Sequence, residues 1–334
     1  VGALGEERVR RTKQVLNKTD IAVVIIDAAE GRTPADDEVL HLIREKNLPY
    51  LVVYNKADLL ERPGQAQDHE IYVSALKGEG IHELKERLAR LKPVETAAPI
   101  VSDLIQGGDF VVLVVPIDTA APKGRLILPQ QQTIREIIDN DSAAIVVKEY
   151  ELRHTLDCLG QKPALVITDS QVFAKVSADT PLDVRLTSFS ILMARAKGDL
   201  VDLARGAAAL TRLRPGQTVL VQEACSHHAQ KDDIGRVKIP RLLARLAGGP
   251  VETPMLAGKE FTEYAGDAAA VVHCGACAIT RGQMLARLDE ARAHGLPMTN
   301  YGMCISLAQG VLERVLSPFP EALAAWRAEA QLPG

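Results

Sequence analysis

Cysteine is scarce in this 334-residue chain, at five positions: Cys158, Cys225, Cys274, Cys277 and Cys304. An odd and sparse set in a chain of this size argues against a disulfide framework and for a reducing cytoplasm. Long apolar runs are also lacking. The longest, Phe110 to Ile117, is strand-sized and too short to cross a bilayer, so no membrane association is expected. Positive charge is not in excess either: the formal net charge of −4 gives no electrostatic case for nucleic acid. No signal peptide is read, because Val1 to Lys18 is charged and helical in pattern. A G-x-x-x-x-G-K-[ST] phosphate loop is absent as well. Such a loop supplies the N–H cradle and lysine that neutralise β- and γ-phosphates, so the chain as given is expected to hydrolyse no nucleoside triphosphate. Val1 in place of a methionine suggests that the chain begins partway through a longer protein.

What is present is the alternation of strand and helix patterns. With 47% hydrophobic and 25% charged residues, the composition is that of a globular protein with room for two or three domains. Residues 1–92 read as a helix (Glu6 to Asn17), a buried strand (Ile21 to Ile26), a helix opened by Thr33-Pro34, strands at Tyr50 to Tyr54 and Glu70 to Val73, and a helix from Ile81 to Leu91. A linker of Pro, Gly and small residues follows, at 93–108. The segment 109–196 carries strands at Phe110 to Val115, Ala144 to Val147 and Leu165 to Ile167, with helices at Gln131 to Asn140 and Glu151 to Leu159. On the latter helix His154 and Cys158 are four apart, a spacing that suits a metal pair but more often a core or partner-facing stripe. The segment 197–334 holds a helix from Asp199 to Leu213, strands ending near Cys225 and His273, a helix from Met284 ended by Gly295, and closing helices. Strands alternating with helices at these spacings predict an α/β protein of three consecutive parallel-sheet domains.

The chemistry concentrates in the last of them. Cys225-Ser226-His227-His228 and His273-Cys274-Gly275-Ala276-Cys277 read C-x-H and H-C-x-x-C. Each follows an apolar, β-branched run that looks like a buried parallel strand. In open α/β sheets ligands bind beyond the C-terminal strand ends, where the loops of neighbouring strands converge. Three soft thiolates there select zinc or an iron–sulfur cluster over hard cations. Cys225, His227, Cys274 and Cys277 would close a Cys3His zinc site. Alternatively, three cysteines on a 4Fe–4S cluster would leave one iron for a histidine, a water or an incoming ligand. Spacing does not choose between them. Cys304 is a further candidate ligand or a buried thiol.

A first resemblance rests on Asn55-Lys56-Ala57-Asp58, which resembles the N-K-x-D guanine motif of the small GTPases, and on Ser74-Ala75-Leu76, which resembles their later S-A element. A carboxylate at Asp58 can accept both N–H donors of the guanine edge, Asn55 can contact the base and Lys56 can lie along its plane. Val1-Gly2-Ala3-Leu4-Gly5-Glu6 is similar to the stretch that follows the D-x-x-G element in GTPases of the Era and TrmE type. The resemblance implies a partial P-loop NTPase fold holding the guanine-specificity half.

With the middle module and the C-x-H…H-C-x-x-C domain added, the whole resembles the HydF family of FeFe-hydrogenase maturation. Supporting stretches are Ala121 to Gln130, Thr168-Asp169-Ser170-Gln171, Asp233 to Pro240 and Asn300-Tyr301-Gly302. The resemblance implies a 4Fe–4S cluster on Cys225, Cys274 and Cys277, with His227 and His273 as candidates for a labile fourth position. It implies a homodimer formed through 109–196, and a scaffold that receives a two-iron precursor made with two radical-SAM maturases and passes it to the apo-hydrogenase. GTP and Mg2+ would act only in the full-length protein, through partner association. Readings of other classes are a zinc-stapled regulatory or interaction protein with a degenerate GTPase remnant, and an electron-transfer protein.

Overall fold

The computed structural model describes residues 12, 15–16, 19–62, 64, 66–91, 98–117, 126–224, 234–257, 266, 268–277 and 279–332. They divide into two compact units, Val1–Thr96 and Ala97–Gly334. Three all-parallel sheets carry the fold, one in the first unit and two in the second.

The first unit is built on β1 (Ala22–Asp27), β2 (Tyr50–Asn55) and β3 (Glu70–Tyr72), in that spatial order. The helix Pro34–Glu45 starts where expected, because Thr33 accepts from the Asp36 amide while the Asp36 carboxylate accepts from the Thr33 amide at 2.8 Å. It buries Leu40 and Ile43 against Ala22, Ile26, Val52 and Tyr54 on one face of the sheet. On the other face, Ile81, Leu84 and Leu88 of the helix Ile81–Arg90 pack on Leu51, Val53, Ile71 and Val73. The expectation of a buried first strand holds for one face only: Val23 and Ile25 are 41% and 68% exposed. Their register partners are Leu51 and Val53, so they share the face that the helix covers over β2 and β3. Among the described residues β1 is an edge strand, and the alternation of side chains puts Val23 and Ile25 on a face that no described helix covers at this edge. Most of the helix expected at Glu6 to Asn17 lies outside the described residues; within it, Leu16 is buried in the core.

In the second unit, β4 (Phe110–Val114), β5 (Ala143–Val147), β6 (Leu165–Thr168) and β7 (Leu186–Ser188) are ordered β5-β4-β6-β7. The helix Leu128–Asp139 begins earlier than the pattern predicts, with Pro129 in its first turn, where a missing N–H costs nothing. β8 (Thr218–Glu223), β9 (Met255–Ala257), β10 (Ala268–His273) and β11 (Met298–Asn300) are ordered β11-β10-β8-β9. Both central runs are buried as predicted: Val219 to Val221 and Ala270 to Val272 are fully enclosed. One hydrophobic core runs through the two sheets, from Val101 to Ala322.

Several elements between the sheets have no counterpart in the sequence pattern: the helix Phe173–Asp179, β7, the helix Phe189–Lys197 and β9. The extended piece expected at Pro297 to Tyr301 is shorter. Asn300 accepts from the Met303 amide at 2.8 Å and so starts the helix Tyr301–Ala308. The Asn300 side chain also donates to the Ser190 carbonyl at 3.2 Å. A Cβ on Gly302 would meet Ser190 Oγ at 1.9 Å, so Asn300-Tyr301-Gly302 is a joint between the sheets.

Candidate functional site

The first candidate site lies at the C-terminal ends of β1, β2 and β3. Asp27 and Asn55 are register partners, which puts the Asp27 carboxylate within 2.5 Å of Lys56 Nζ. The Lys56 partner holds the Asp27 carboxyl below the usual range, and Asp27 in turn raises Lys56. Lys56 itself takes a left-handed backbone conformation, φ 66°, at the turn out of β2. Asn55 Oδ1 accepts the Ala75 amide at 3.0 Å, and the Ala57 amide donates to the Val73 carbonyl at 3.0 Å. The Ser74 hydroxyl, fully buried, keeps the Asp58 carboxyl below its ordinary pKa. The two sequence motifs are thus tied into one frame, with the half-buried Asp58 carboxylate held by Ser74. Leu76 takes no part in this network and is 88% exposed. Asp27 was missed by sequence reasoning; the signal was its place at the end of an apolar run, beside the strand that delivers Asn55.

The second candidate site lies at the ends of β8 and β10. The chain leaves β8 for β9 on one side, while β10 enters on the other, so the gap between β8 and β10 is the switch point of this sheet. Cys225 and His227, expected as ligands just beyond β8, lie outside the described residues. The described chain stops one residue earlier, at Ala224, whose amide donates to Cys274 Sγ at 3.2 Å. The Cys274 amide donates to the Gln222 carbonyl at 2.8 Å. Cys274 is half-buried and Cys277 exposed. Among the described residues, no three metal-ligating side chains gather.

His273 is fully buried at the end of β10. Its Nδ1 donates to the Cys274 carbonyl at 2.6 Å, and its Nε2 accepts from the Arg287 guanidinium. Burial, and then the Arg287 charge, push its pKa down to about 3. The ring is therefore neutral, with both nitrogens engaged. Cys304 sits inside the helix Tyr301–Ala308, fully buried, and burial pushes its thiol up to about 12. Its burial in the packed helix favours the reading of Cys304 as a buried thiol over that of a ligand. His154 and Cys158 are both exposed, the sulfur 3.6 Å from Nε2, so of the two stripes the spacing favours they are not the core one, while the partner-facing one stands. Lys197 and Arg287, close to the cysteines, were also missed. Among the described residues, no helix is long and apolar enough to cross a membrane.

Comparison with known proteins covers both units of the chain. The elongation factor Tu GTP-binding domain matches residues 8–138, the hydrogen maturase F dimerization domain residues 100–198, and the hydrogen maturase F tetramerization domain residues 201–318. The first match runs into the second, but β4 and the helix Leu128–Asp139 belong to the sheet of the second unit. The tRNA modification GTPase MnmE of Thermotoga petrophila is 34% identical over 90 residues, covering 25% of this chain and 20% of that protein. The GTPase Der of Azoarcus sp. is 30% identical over 104 residues (29% and 24%). The GTPase Era of Thermotoga petrophila is 30% identical over 102 residues (27% and 34%). The chain thus spans about a fifth to a third of the length of these curated relatives. A guanine half-site on a GTPase-like sheet is joined to matched dimerization and tetramerization domains, which accounts for nearly all of the sequence: the chain belongs to the hydrogen maturase F (HydF) family.

Proposed function

We propose that this chain is a scaffold and carrier in FeFe-hydrogenase maturation. In this reading it holds a 4Fe–4S cluster on Cys225, Cys274 and Cys277, receives a two-iron precursor as cargo and delivers it to the apo-hydrogenase. The observation that carries the reading is the approach of the end of β8 to the cysteine loop beyond β10 at the switch point, where the Ala224 amide, one residue before Cys225, donates to Cys274 Sγ. The donor set suits a cluster. Thiolates are its natural ligands, an N–H donor to sulfur is how proteins tune it, and the Lys197 and Arg287 cations stand near the cysteines. When bound, a cluster on three cysteines supplies one iron open to a bridging ligand of the cargo or to a labile imidazole.

Of the two candidate histidines, His273 is engaged at both nitrogens and orients the Cys274 carbonyl, so His227 is the stronger candidate for the labile position. Asn55, Lys56, Asp58, Ser74 and Ala75 would bind the guanine base, with GTP and Mg2+ acting where a phosphate loop completes the site. For the homodimer, β5 offers an edge: among the described residues it pairs only with β4, and Val146 is 46% exposed. The proposed partners are the apo-hydrogenase and two radical-SAM maturases, in the cytoplasm.

Anaerobic reconstitution with iron and sulfide, metal counting and EPR with and without imidazole test this reading. About four irons per chain and a cubane signal that imidazole perturbs are expected. A cluster blind to imidazole would point to electron transfer, and one zinc with no cluster would leave a structural staple.

A further inference from the structure

The helix Phe189–Lys197 joins the first sheet of the second unit to the cysteine loop of the second. It starts directly after β7, with Ser188 accepting from the Ile191 amide at 3.2 Å. At its other end the half-buried Lys197 ammonium donates to three carbonyls of the H-C-x-x-C loop: Ala276 at 3.3 Å, Cys277 at 3.0 Å and Ile279 at 2.8 Å. The tie is returned. Arg281, which opens the helix Arg281–Ala293 beyond the loop, donates from one guanidinium nitrogen to the carbonyls of Arg195 (3.4 Å), Ala196 (3.1 Å) and Gly198 (2.8 Å). Those are the orphan carbonyls at the end of the Phe189–Lys197 helix, where a cation also suits the dipole. Each segment therefore uses a cation to grip the other's backbone.

What is gripped is strained. Ala276, between the two cysteines, has φ 55°, a left-handed conformation that costs a residue with a Cβ free energy and persists only where its surroundings over-determine it. The three Lys197 contacts are that over-determination. Among the described residues Lys197 faces no carboxylate, so its positive charge is directed at the cysteine loop.

We propose that Lys197 is a positioning residue for the C-x-x-C turn: it holds Ala276 left-handed, sets where the Cys277 thiolate points and places a counter-charge beside a cluster of net negative charge. Arg281 completes the latch, so a shift in the β5-β4-β6-β7 sheet reaches the cysteines through one helix. The role in holding a cluster rests on the function proposed above; the latch itself does not.

The test compares wild type with K197M, K197Q, K197R and K197M/A276G. In cluster-free protein, amide hydrogen exchange of the segment 274–277 should quicken roughly tenfold in K197M while β4 is unchanged, and A276G should restore protection by removing the strain. In reconstituted protein, iron loss to a chelator should quicken roughly tenfold in K197M, as for other residues that orient ligands. K197R should keep both cluster retention and EPR g-values. K197Q, which keeps donors without charge, should retain iron but shift the reduction potential downward. Equal exchange and equal retention in wild type and K197M would overturn the proposal. A wild type that takes up no cluster would sink the carrier reading, and the exchange measurements would still decide the latch.

Discussion

Replacing Cys304 with alanine separates a structural thiol from a ligand. The side chain is fully buried in the helix Tyr301–Ala308, against the core under β10 and β11. Removing one sulfur from such a site costs about 1 kcal/mol, in the range of other single-group deletions in packed cores. A ligand would behave differently, taking the cluster with it. The pH dependence sharpens the test. Folded Cys304 has its thiol raised by burial from 9.0 to about 12. The unfolded chain therefore loses this proton first. The stability that the neutral thiol contributes is complete below pH 9 and is lost as pH rises toward 12, at ~1.4 kcal/mol per pH unit. Cys304→Ala removes that slope. The variant should be less stable than wild type at pH 7, equal near pH 10 and more stable above it. Urea unfolding of both proteins under reductant, from pH 7 to 10.5, with iron content measured after reconstitution, reads all of this. Parallel stability curves would refute the buried-thiol reasoning, and loss of iron in Cys304→Ala would make Cys304 a ligand after all.

Other expectations follow from the same contacts. Cys274→Ser and Cys277→Ser should each lose most of the iron taken up on reconstitution, while Cys158→Ser, on an exposed helix, should lose none; inductively coupled plasma counting decides. Asp58→Ala should weaken binding of a fluorescent guanine nucleotide by about 2 kcal/mol, roughly thirtyfold, because a charged acceptor pair is removed, and Leu76→Ala should leave it unchanged. Gly206→Ala should destabilise the second unit by about 1–3 kcal/mol or more in urea unfolding, because the new Cβ would stand 1.9 Å from the Met298 carbonyl oxygen of β11, and backbone cannot step aside cheaply. Phosphate release from GTP should stay at the buffer background for this chain.

The sequence shows best the elements whose signal is local. β8 and β10 are short apolar runs enclosed on both faces, and both were legible with their burial. The Pro34–Glu45 helix announces itself through Thr33, Pro34 and Asp36. The helix Phe189–Lys197 did not, for a physical reason: Phe189, Ile191, Leu192, Met193, Ala194 and Ala196 are all buried, so no polar face gives it a period. β7 is three residues of Leu, Thr and Ser, too short for alternation to register. β1 misled in the opposite direction, since an unbroken apolar run reads as two-sided burial and its exposed face depends on what neighbours it.

The candidate sites divide along the same line. Cysteine spacing and N-K-x-D name the residues that carry chemistry, because those residue types are rare and their offsets are fixed by one turn. The residues that aim them are common types whose role exists only in three dimensions. Lys197 lies 80 positions from the Cys277 carbonyl it holds, Lys56 is 29 from Asp27, and Arg287 is 14 from the His273 ring it occupies. A boundary drawn by composition near residue 197 also passes through the helix end where Lys197 and Arg281 cross-grip, inside a core that both sheets share. The cysteine loop therefore takes its geometry from the neighbouring sheet as much as from its own strand. A β8–β10 sheet separated from the Phe189–Lys197 helix would keep its cysteines and lose the contacts that hold Ala276 between them.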